Sequence, residues 1–490
     1  MHDSFGNLMS PSPPSGLAVV RVFVDPILST ERILRAVVRQ IGFALVAEPG
    51  LADVCIAPSP RPGSLSWCPG AGFGVSGAVG TFDADLVHAL GRYQRGAGQI
   101  DYAGRSFTVC ADQGRKSEVL HCCIRTLFQL LLSNGQDVRF LWWYPDAARG
   151  AVNYRVDVDD NVGDTFQQLA KLLERHMGWC SLYFTTSSFR DDLESICRSR
   201  TAGAEIGSHC HYHYTFERDP ATNKKNLNAS ADFLRQNGID FSGAVMPSGK
   251  SFPGIGGVMA DAGLSYTSNF GLIFDALPIE LSDRAEPHLE VPIHPVAPGN
   301  VIKASASLAD LDDYLLLYYL DMAARLNEAF LPLFFYGHNN DTVRLALLPG
   351  LLDRLVGAFP DHAFVRLDHY AAFWQERLDR LMTWRLADDG HNVAVISHQR
   401  PDRVSVQGRE TVRTWPVSVD SLFRSSLSFV GAGARKPRWR DRLADRYELE
   451  TVLPISALSL ASLQGWGSVG YKVTRGLMSS LLRWRRPNRA

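Results

Sequence analysis

Long apolar runs, an export signal and paired cysteines are all missing from this sequence of 490 residues. No stretch reaches eighteen uninterrupted apolar residues, so we predict no transmembrane helix. Residues 1–16 have neither a basic n-region nor an apolar h-region, and we expect a disordered leader there instead of a secretory signal. The eight cysteines include no CxxC pair, which favours reduced thiols over a disulfide framework in a large chain without an export signal. The expected location is the cytoplasm.

Net charge is also nearly absent, but it is unevenly distributed. The formal charge is −1 at pH 7, whereas residues 431–490 hold twelve Lys and Arg against four Asp and Glu, a net of +8, which leaves −9 for the rest. Residues 472–486 have the pattern of a basic amphipathic helix, which either docks on the protein's own apolar surface or makes peripheral contact with a membrane. Nucleic-acid binding is not expected, because no known binding module appears and the excess of basic over acidic residues is confined to this tail. The apolar side chains are Val473, Leu477, Leu481 and Trp484, opposite Lys472, Arg475, Arg483 and Arg486.

Strand-like and helix-like segments alternate along most of the chain, which predicts an α/β fold. Residues 17–140 have the pattern of an N-terminal α/β domain. Residues 150–382 contain about seven βα units, for which a closed or partly closed (β/α) barrel is the economical solution. Short alternating runs in 385–432 predict a small antiparallel β unit, followed by the basic tail at 433–490. In such barrels the chemistry lies at the carboxyl ends of the strands.

Three carboxylates follow the first strand of this predicted barrel. Asp157, Asp159 and Asp160 stand within four residues, directly after an apolar run. A bound cation would offset their mutual repulsion, with one carboxylate as a ligand and another as a proton acceptor. The competing interpretation is a charge cluster that stabilises the start of a helix.

Histidines follow two later strands. His209, His211 and His213 stand at alternate positions, and neutral imidazole is a common zinc ligand. A single histidine there would be interpreted as a packing residue, whereas three in five residues favour a metal site. His338 ends the apolar run LPLFFYGH and is a candidate general acid, with His294 in VPIHPV as a competitor. A turn histidine is the alternative for His338.

The order and spacing of these segments resemble the polysaccharide deacetylase family (carbohydrate esterase family 4, with its NodB homology domain). The resemblance covers about 153–381, roughly half the chain. RVDVDD is similar to the DVD version of the family's first motif, and EIGSHCHYH matches its His-x-x-x-His motif through His209 and His213. The resemblance implies that these two histidines and one Asp hold a divalent ion, with zinc expected, and that His338 protonates the leaving amine.

The roles of the carboxylates stay open within this resemblance. Asp157 as the base with Asp159 as the ligand is the favoured assignment, since both point the same way along a strand. The alternative moves the two roles to Asp159 and Asp160. His211 is expected to point away from the ion or to line the substrate groove.

The family's third motif, Arg-x-Pro-x-Gly, is only partly kept. The segment Pro247–Gly249 matches it, but Val245 stands where the family has the Arg that positions the basic Asp. Arg155 and Lys250 are candidate substitutes. The backbone N–H of Ser248 is a candidate oxyanion donor, as the resemblance implies.

The resemblance implies a hydrolase that removes acetyl groups from N-acetylated sugars of a glycan or glycan precursor. Intermediates of surface-polysaccharide biosynthesis and lipid-linked oligosaccharides fit a cytosolic enzyme with a basic amphipathic tail. Two alternatives remain. One is a catalytically impaired glycan-binding protein on the same fold, favoured by the missing Arg. The other is a metal-dependent hydrolase of another small amide.

Overall fold

The computed structural model describes twelve stretches of the chain. The predicted leader (1–16) and basic tail (433–490) lie outside them. Within the described part, no helix is both long and apolar enough to cross a membrane. The free thiols are Cys55, Cys68, Cys122, Cys123, Cys180, Cys197 and Cys210. The described residues are 19–90, 96–111, 116–162, 164–216, 218–270, 274–281, 288–305, 310–342, 347–383, 392–408, 411–423 and 429–430.

Short strands and helices alternate through the described chain. The strands are β1 (Arg21–Val24), β2 (Ala44–Val46), β3 (Val54–Ile56), β4 (Leu65–Pro69), β5 (Gly74–Ser76), β6 (Val79–Phe82), β7 (Gly96–Tyr102), β8 (Arg105–Ala111), β9 (Val138–Leu141), β10 (Gly150–Val158), β11 (Cys180–Phe184), β12 (Glu205–Ser208), β13 (Gly243–Ala244), β14 (Tyr266–Thr267), β15 (Ile279–Leu281), β16 (His288–Glu290), β17 (Leu333–His338), β18 (His362–Phe364), β19 (Val393–Ser397), β20 (Arg400–Gln407), β21 (Val412–Pro416) and β22 (Phe429–Val430). The helices are α1 (Glu31–Ile41), α2 (Ala84–Leu90), α3 (Lys116–Ser133), α4 (Thr165–Leu173), α5 (Leu193–Thr201), α6 (Pro220–Gln236), α7 (Ile255–Asp261), α8 (Pro298–Ser305), α9 (Leu311–Glu328), α10 (Asn339–Thr342), α11 (Leu348–Ala358) and α12 (Leu367–Thr383).

The described residues form two compact units. The first is built from parts of Met1–Ala84, Cys122–Ala148 and Trp374–Leu422. It contains a six-stranded sheet in the order β2-β1-β3-β4-β6-β5, in which only β5 and β6 pair antiparallel. Its second sheet is antiparallel, in the order β21-β20-β19-β9, so that a strand from before the barrel pairs with one from after it.

A glycine ends the first helix of this unit. Gly42 follows α1 with a φ of 102°, and its N–H bonds to the carbonyl oxygens of Val38 and Arg39. A Cβ at Gly42 would also lie 2.5 Å from the carbonyl oxygen of Leu141. The left-handed backbone and the close approach of β9 both require glycine there.

The second unit is built from parts of Asp85–His121, Arg149–Phe373 and Phe423–Ala490. Its main sheet has nine strands, in the order β15-β16-β14-β13-β12-β11-β10-β17, with β18 also paired to β10. Every pairing is parallel except β15 with β16. Among the described residues the ladder stays open between β16 and β17. This curled parallel sheet, with the mixed and antiparallel sheets of the first unit, confirms the predicted α/β fold with a distorted (β/α) barrel.

Tyrosine rings fill the barrel interior below the carboxyl ends of the strands. A Cβ at Gly207 would overlap the ring of Tyr183, and a Cβ at Gly243 would overlap the ring of Tyr266. The two tyrosine hydroxyls lie 2.7 Å apart, and both bond to the carboxyl group of Glu205. Burial raises the pKa of Glu205 to about 7. We call Tyr183, Tyr266 and Glu205 the tyrosine layer.

Candidate metal centre

The candidate site begins where three neighbouring strands end at one edge of the sheet. Val158 of β10 pairs with Phe184 of β11, and Phe184 pairs with Ser208 of β12. Asp159 and His209 therefore come next at the same level. The N–H of His209 donates to the carbonyl oxygen of Phe184 at 2.9 Å, so the ladder extends to this level.

Asp159, His209 and His213 form the donor cluster. Asp159 Oδ1 lies 3.0 Å from His213 Nε2 and 3.4 Å from His209 Nε2, and the three atoms all lie within 4.8 Å of one another. The side chain of His213 is 18% exposed, against 1% for His209 and 4% for Asp159. Nδ1 of His209 lies 2.7 Å from the carbonyl oxygen of Val245. Because that oxygen only accepts, Nδ1 carries a proton there, and Nε2 is the ring nitrogen that faces Asp159.

The carboxylate of the donor cluster is ionised. Burial opposes ionisation of Asp159, but the charge of His213 and hydrogen bonds from His209 and His213 outweigh it. The pKa of Asp159 therefore lies well below its ordinary value. A buried carboxylate between two imidazoles supplies one oxygen and two nitrogens, a donor set that suits a divalent transition-metal ion.

A left-handed residue brings the two histidines together. Cys210 has a φ of 66°, a backbone conformation that L-residues seldom adopt. It directly follows His209 and breaks the alternation that would otherwise place all three histidines on one strand face. His209 and His213 consequently meet, with ring centroids 5.0 Å apart, while His211 points elsewhere.

His211 lies outside the donor cluster. Its Nδ1 is 2.9 Å from Thr186 Oγ1, and its Nε2 is 2.8 Å from an Arg190 guanidinium nitrogen. Burial, assisted by the charge of Arg190, lowers the pKa of His211. Neutral His211 thus accepts from Arg190 and donates to Thr186.

Asp157 is held by an arginine from its own strand. Arg155 Nε lies 2.9 Å from Asp157 Oδ1, and a terminal nitrogen lies 3.0 Å from Oδ2. Both side chains are buried, at 0% and 4% exposure, and the guanidinium also stacks on the Tyr336 ring. Of the two candidate substitutes for the missing Arg, Arg155 makes this contact, whereas Lys250 donates to the Thr215 carbonyl oxygen at 3.0 Å.

His338 lies beside Asp157 and is paired with a second carboxylate. The register of β10 and β17 places His338 opposite Asp157. Its Nδ1 is 3.0 Å from Asp341 Oδ2. Burial lowers the pKa of His338, but the bond to Asp341 and the charges of Asp159 and Asp157 raise it more, so it lies above its ordinary value. Asp341 was not among the residues predicted for the site, although His-x-x-Asp at the start of a helix is a spacing that brings the two side chains together.

Two other sequence candidates lie outside the donor cluster. Asp160 accepts from the side-chain amide of Asn340 at 3.1 and 3.2 Å. His294 is 1% exposed and bonds to Asp275 at 2.9 Å and to the Tyr318 hydroxyl at 2.8 Å. His294 is therefore part of a closed buried triad with both ring nitrogens occupied.

The third motif forms a tight turn, Pro247–Gly249, at the carboxyl end of β13. Ser248 and Gly249 both have left-handed backbones, with φ of 64° and 60°. A Cβ at Gly249 would overlap the ring of Phe270, so glycine is required there. Left-handed conformation at a non-glycine residue such as Ser248 requires support from the surrounding structure, and such residues cluster at functional sites.

Comparison with known proteins gave matches of structure only. No protein-family model and no curated protein sequence matches this chain. Solved structures that resemble it include carbohydrate deacetylases. An inferred polysaccharide deacetylase from Mycobacterium smegmatis is 16% identical, with 48% of this chain and 93% of that chain covered and a TM-score of 0.41.

Two further structures cover a similar share. An inferred polysaccharide deacetylase from Pseudomonas aeruginosa PAO1 is 15% identical, with 48% of this chain and 93% of that chain covered and a TM-score of 0.40. An allantoinase is 15% identical, with 48% and 92% covered and a TM-score of 0.38. At these identities the likeness concerns the fold alone.

Proposed function

We propose that this chain is a metal-dependent hydrolase that removes acetyl groups from N-acetylated sugars of a glycan or glycan precursor. One observation carries the proposal: the donor cluster, the ion-paired Asp157 and the paired His338 converge at one edge of the parallel sheet. These groups supply metal ligands, a base and an acid, which hydrolysis of an amide requires.

The donor cluster fits a zinc ion. Two histidines and one carboxylate are a donor set found in catalytic zinc sites, which leave a further position for water or substrate. The second nitrogen of His209 is held by a backbone carbonyl, as is usual for a metal-bound imidazole. A divalent ion would supply positive charge that polarises an acyl oxygen and lowers the pKa of water.

Asp157 and His338 divide the proton transfers between them. Asp157, held in place by Arg155, takes the proton from the water that attacks the acetamide carbonyl carbon. His338, whose Nδ1 proton is directed at Asp341, presents Nε2 and returns a proton to the departing nitrogen. The C–N bond breaks, and acetate and a free amine leave. The backbone N–H of Ser248 is the proposed donor to the oxyanion.

A catalytically impaired glycan-binding protein is the second candidate. Val245, in place of an Arg, is the observation that favours it. The contact between Arg155 and Asp157 counts against it, because it positions the proposed base without that Arg.

Metal content and turnover test the proposal together. Wild type is expected to bind about one zinc per chain and to release acetate from an acetylated-sugar panel, and His209→Ala/His213→Ala to do neither. His211→Ala is the matched control, since it changes a histidine of the same loop that lies outside the donor cluster. If the protein binds zinc but hydrolyses only amides that are not sugars, its substrate is another class of amide. Wild type without metal after zinc is supplied would refute the proposal.

A further inference from the structure

A threonine lies between two of the candidate ligands, at the same level of the neighbouring strands. Thr185 follows Phe184 just as Asp159 follows Val158 and His209 follows Ser208. The Thr185 N–H donates to the carbonyl oxygen of Val158 at 3.0 Å, which places it on the same ladder. Thr185 is thus flanked by Asp159 on one strand and by His209 on the other.

The side chain of Thr185 faces the same space as those ligands. Its backbone is extended, with φ −76° and ψ 94°. Side chains at the same level of neighbouring parallel strands project from the same face of a sheet. The next residue, Thr186, projects the other way and bonds to His211. Strand alternation therefore directs Thr185 Oγ1 towards Asp159 and His209.

This hydroxyl is buried and has no hydrogen-bond partner within the described residues. Thr185 is 2% exposed, and its Oγ1 neither donates nor accepts there. A buried hydroxyl without a partner destabilises a fold, so such groups are uncommon. The neighbouring hydroxyls of Thr186 and Ser188 do have partners, in His211 and the Asp159 carbonyl oxygen.

We propose that Thr185 is a ligand-binding residue whose hydroxyl donates a hydrogen bond to an acyl or carboxylate oxygen bound beside the donor cluster. No atom of the described residues uses the hydroxyl, and it faces the cluster, so it is available to a ligand bound there. The proposal rests on the proposed function, which makes an acetyl group and then acetate the molecules that reach this position.

Acetate titration of the full-length, zinc-loaded protein tests this proposal. Thr185→Val removes the hydroxyl at nearly constant volume and is expected to weaken acetate binding about 10- to 100-fold, because the acceptor is charged. Thr185→Ser keeps the hydroxyl and is expected to bind acetate within about threefold of wild type. Thr186→Val is the matched control: it removes the adjacent hydroxyl, which bonds to His211, and should leave acetate affinity unchanged.

Zinc stoichiometry, measured on the same samples, separates this proposal from the proposed function. Equal acetate affinity in wild type and Thr185→Val, with zinc fully bound in both, would overturn the role of Thr185. Equal weakening in Thr185→Val and Thr186→Val would also overturn it, by showing a general disturbance of the loop. No zinc in the wild type would instead refute the proposed function, whatever Thr185 does.

Discussion

At the scale of single residues, the ion pair between Arg155 and Asp157 is the most consequential contact. Two fully buried charges stabilise a fold little in net terms, but removing one partner leaves the other uncompensated. Arg155→Met is therefore expected to lower the free energy of unfolding by about 3–5 kcal/mol. Arg155→Met/Asp157→Asn should lose clearly less, because no unpaired charge remains.

Urea unfolding of both variants checks this prediction. Coinciding circular dichroism and fluorescence transitions would show that unfolding is two-state, so that the free energies can be compared. Equal losses in the single and double variants would show that Asp157 is not charged in the fold.

A second residue, His362, makes stability depend on pH. Burial, with a smaller effect from Arg149, lowers the pKa of His362 to about 4. The unfolded chain takes up a proton near pH 6.5 and the folded chain only near pH 4, so stability falls as pH decreases between these values and is flat below them. The loss reaches about 3 kcal/mol at most.

His362→Gln should remove this dependence. The measurement is the difference in unfolding free energy between wild type and variant at several pH values, in which the other titrating groups cancel. The free energy of unfolding of wild type, relative to that of the variant, is expected to decrease from pH 7 to pH 4. A difference that stays constant with pH would contradict the assignment.

At the scale of elements, the tyrosine layer depends on glycines in the neighbouring strands. Gly207→Ala would push a methyl group into the ring of Tyr183 and is expected to destabilise the protein by about 1–3 kcal/mol. Gly257→Ala, in α7, is the matched control. No atom lies within 4 Å of a Cβ there, and the change should stabilise by about 0.5–1 kcal/mol. Thermal unfolding should show a lower melting temperature for Gly207→Ala and a higher one for Gly257→Ala. A lower melting temperature for both variants would contradict the prediction.

Sequence patterns could predict elements better than contacts between them. The confirmed α/β fold with a distorted barrel followed from strand–helix alternation, which is local. The pairing of β9 with β19 leaves no local pattern, because the two strands lie far apart in the chain. Arg155 is the opposite case: it stands two residues before Asp157 in the same strand, so strand alternation alone places the two side chains on one face.

The donor cluster lies between these two cases. Three histidines in five residues made His209 and His213 candidates, yet the spacing alone could not decide which two converge. The left-handed Cys210 decides it, and nothing in the identity of a cysteine predicts a positive φ. Asp341 could have been found from its spacing to His338, and Thr185 only from the strand register.

At the scale of the whole molecule, charge is divided between an acidic body and a basic tail. Residues 431–490 carry a net +8 and the rest −9. We propose that the tail binds anionic lipid surfaces. Arg483→Glu/Arg486→Glu is expected to weaken binding to vesicles with anionic lipid about 10-fold or more, since each basic residue near such a surface contributes about 1 kcal/mol.

Vesicle co-sedimentation measures this effect. Neutral vesicles should bind weakly, and added salt should reduce binding to the anionic ones, as screening requires. Unchanged binding of the charge-reversed variant would favour docking of the tail on the protein itself.

The uneven burial of the donor cluster has a kinetic consequence. The buried tyrosine layer lies beneath the site, and of the three donors only His213 is appreciably exposed, at 18%. An ion held by the donor cluster would then meet solvent on the side of that imidazole. His213 would be the last donor to engage during loading and the first to let go, so a chelator should extract the ion at a rate set by the opening of one side chain. The affinity for an ion would then depend on all three donors, whereas its exchange rate would depend on His213.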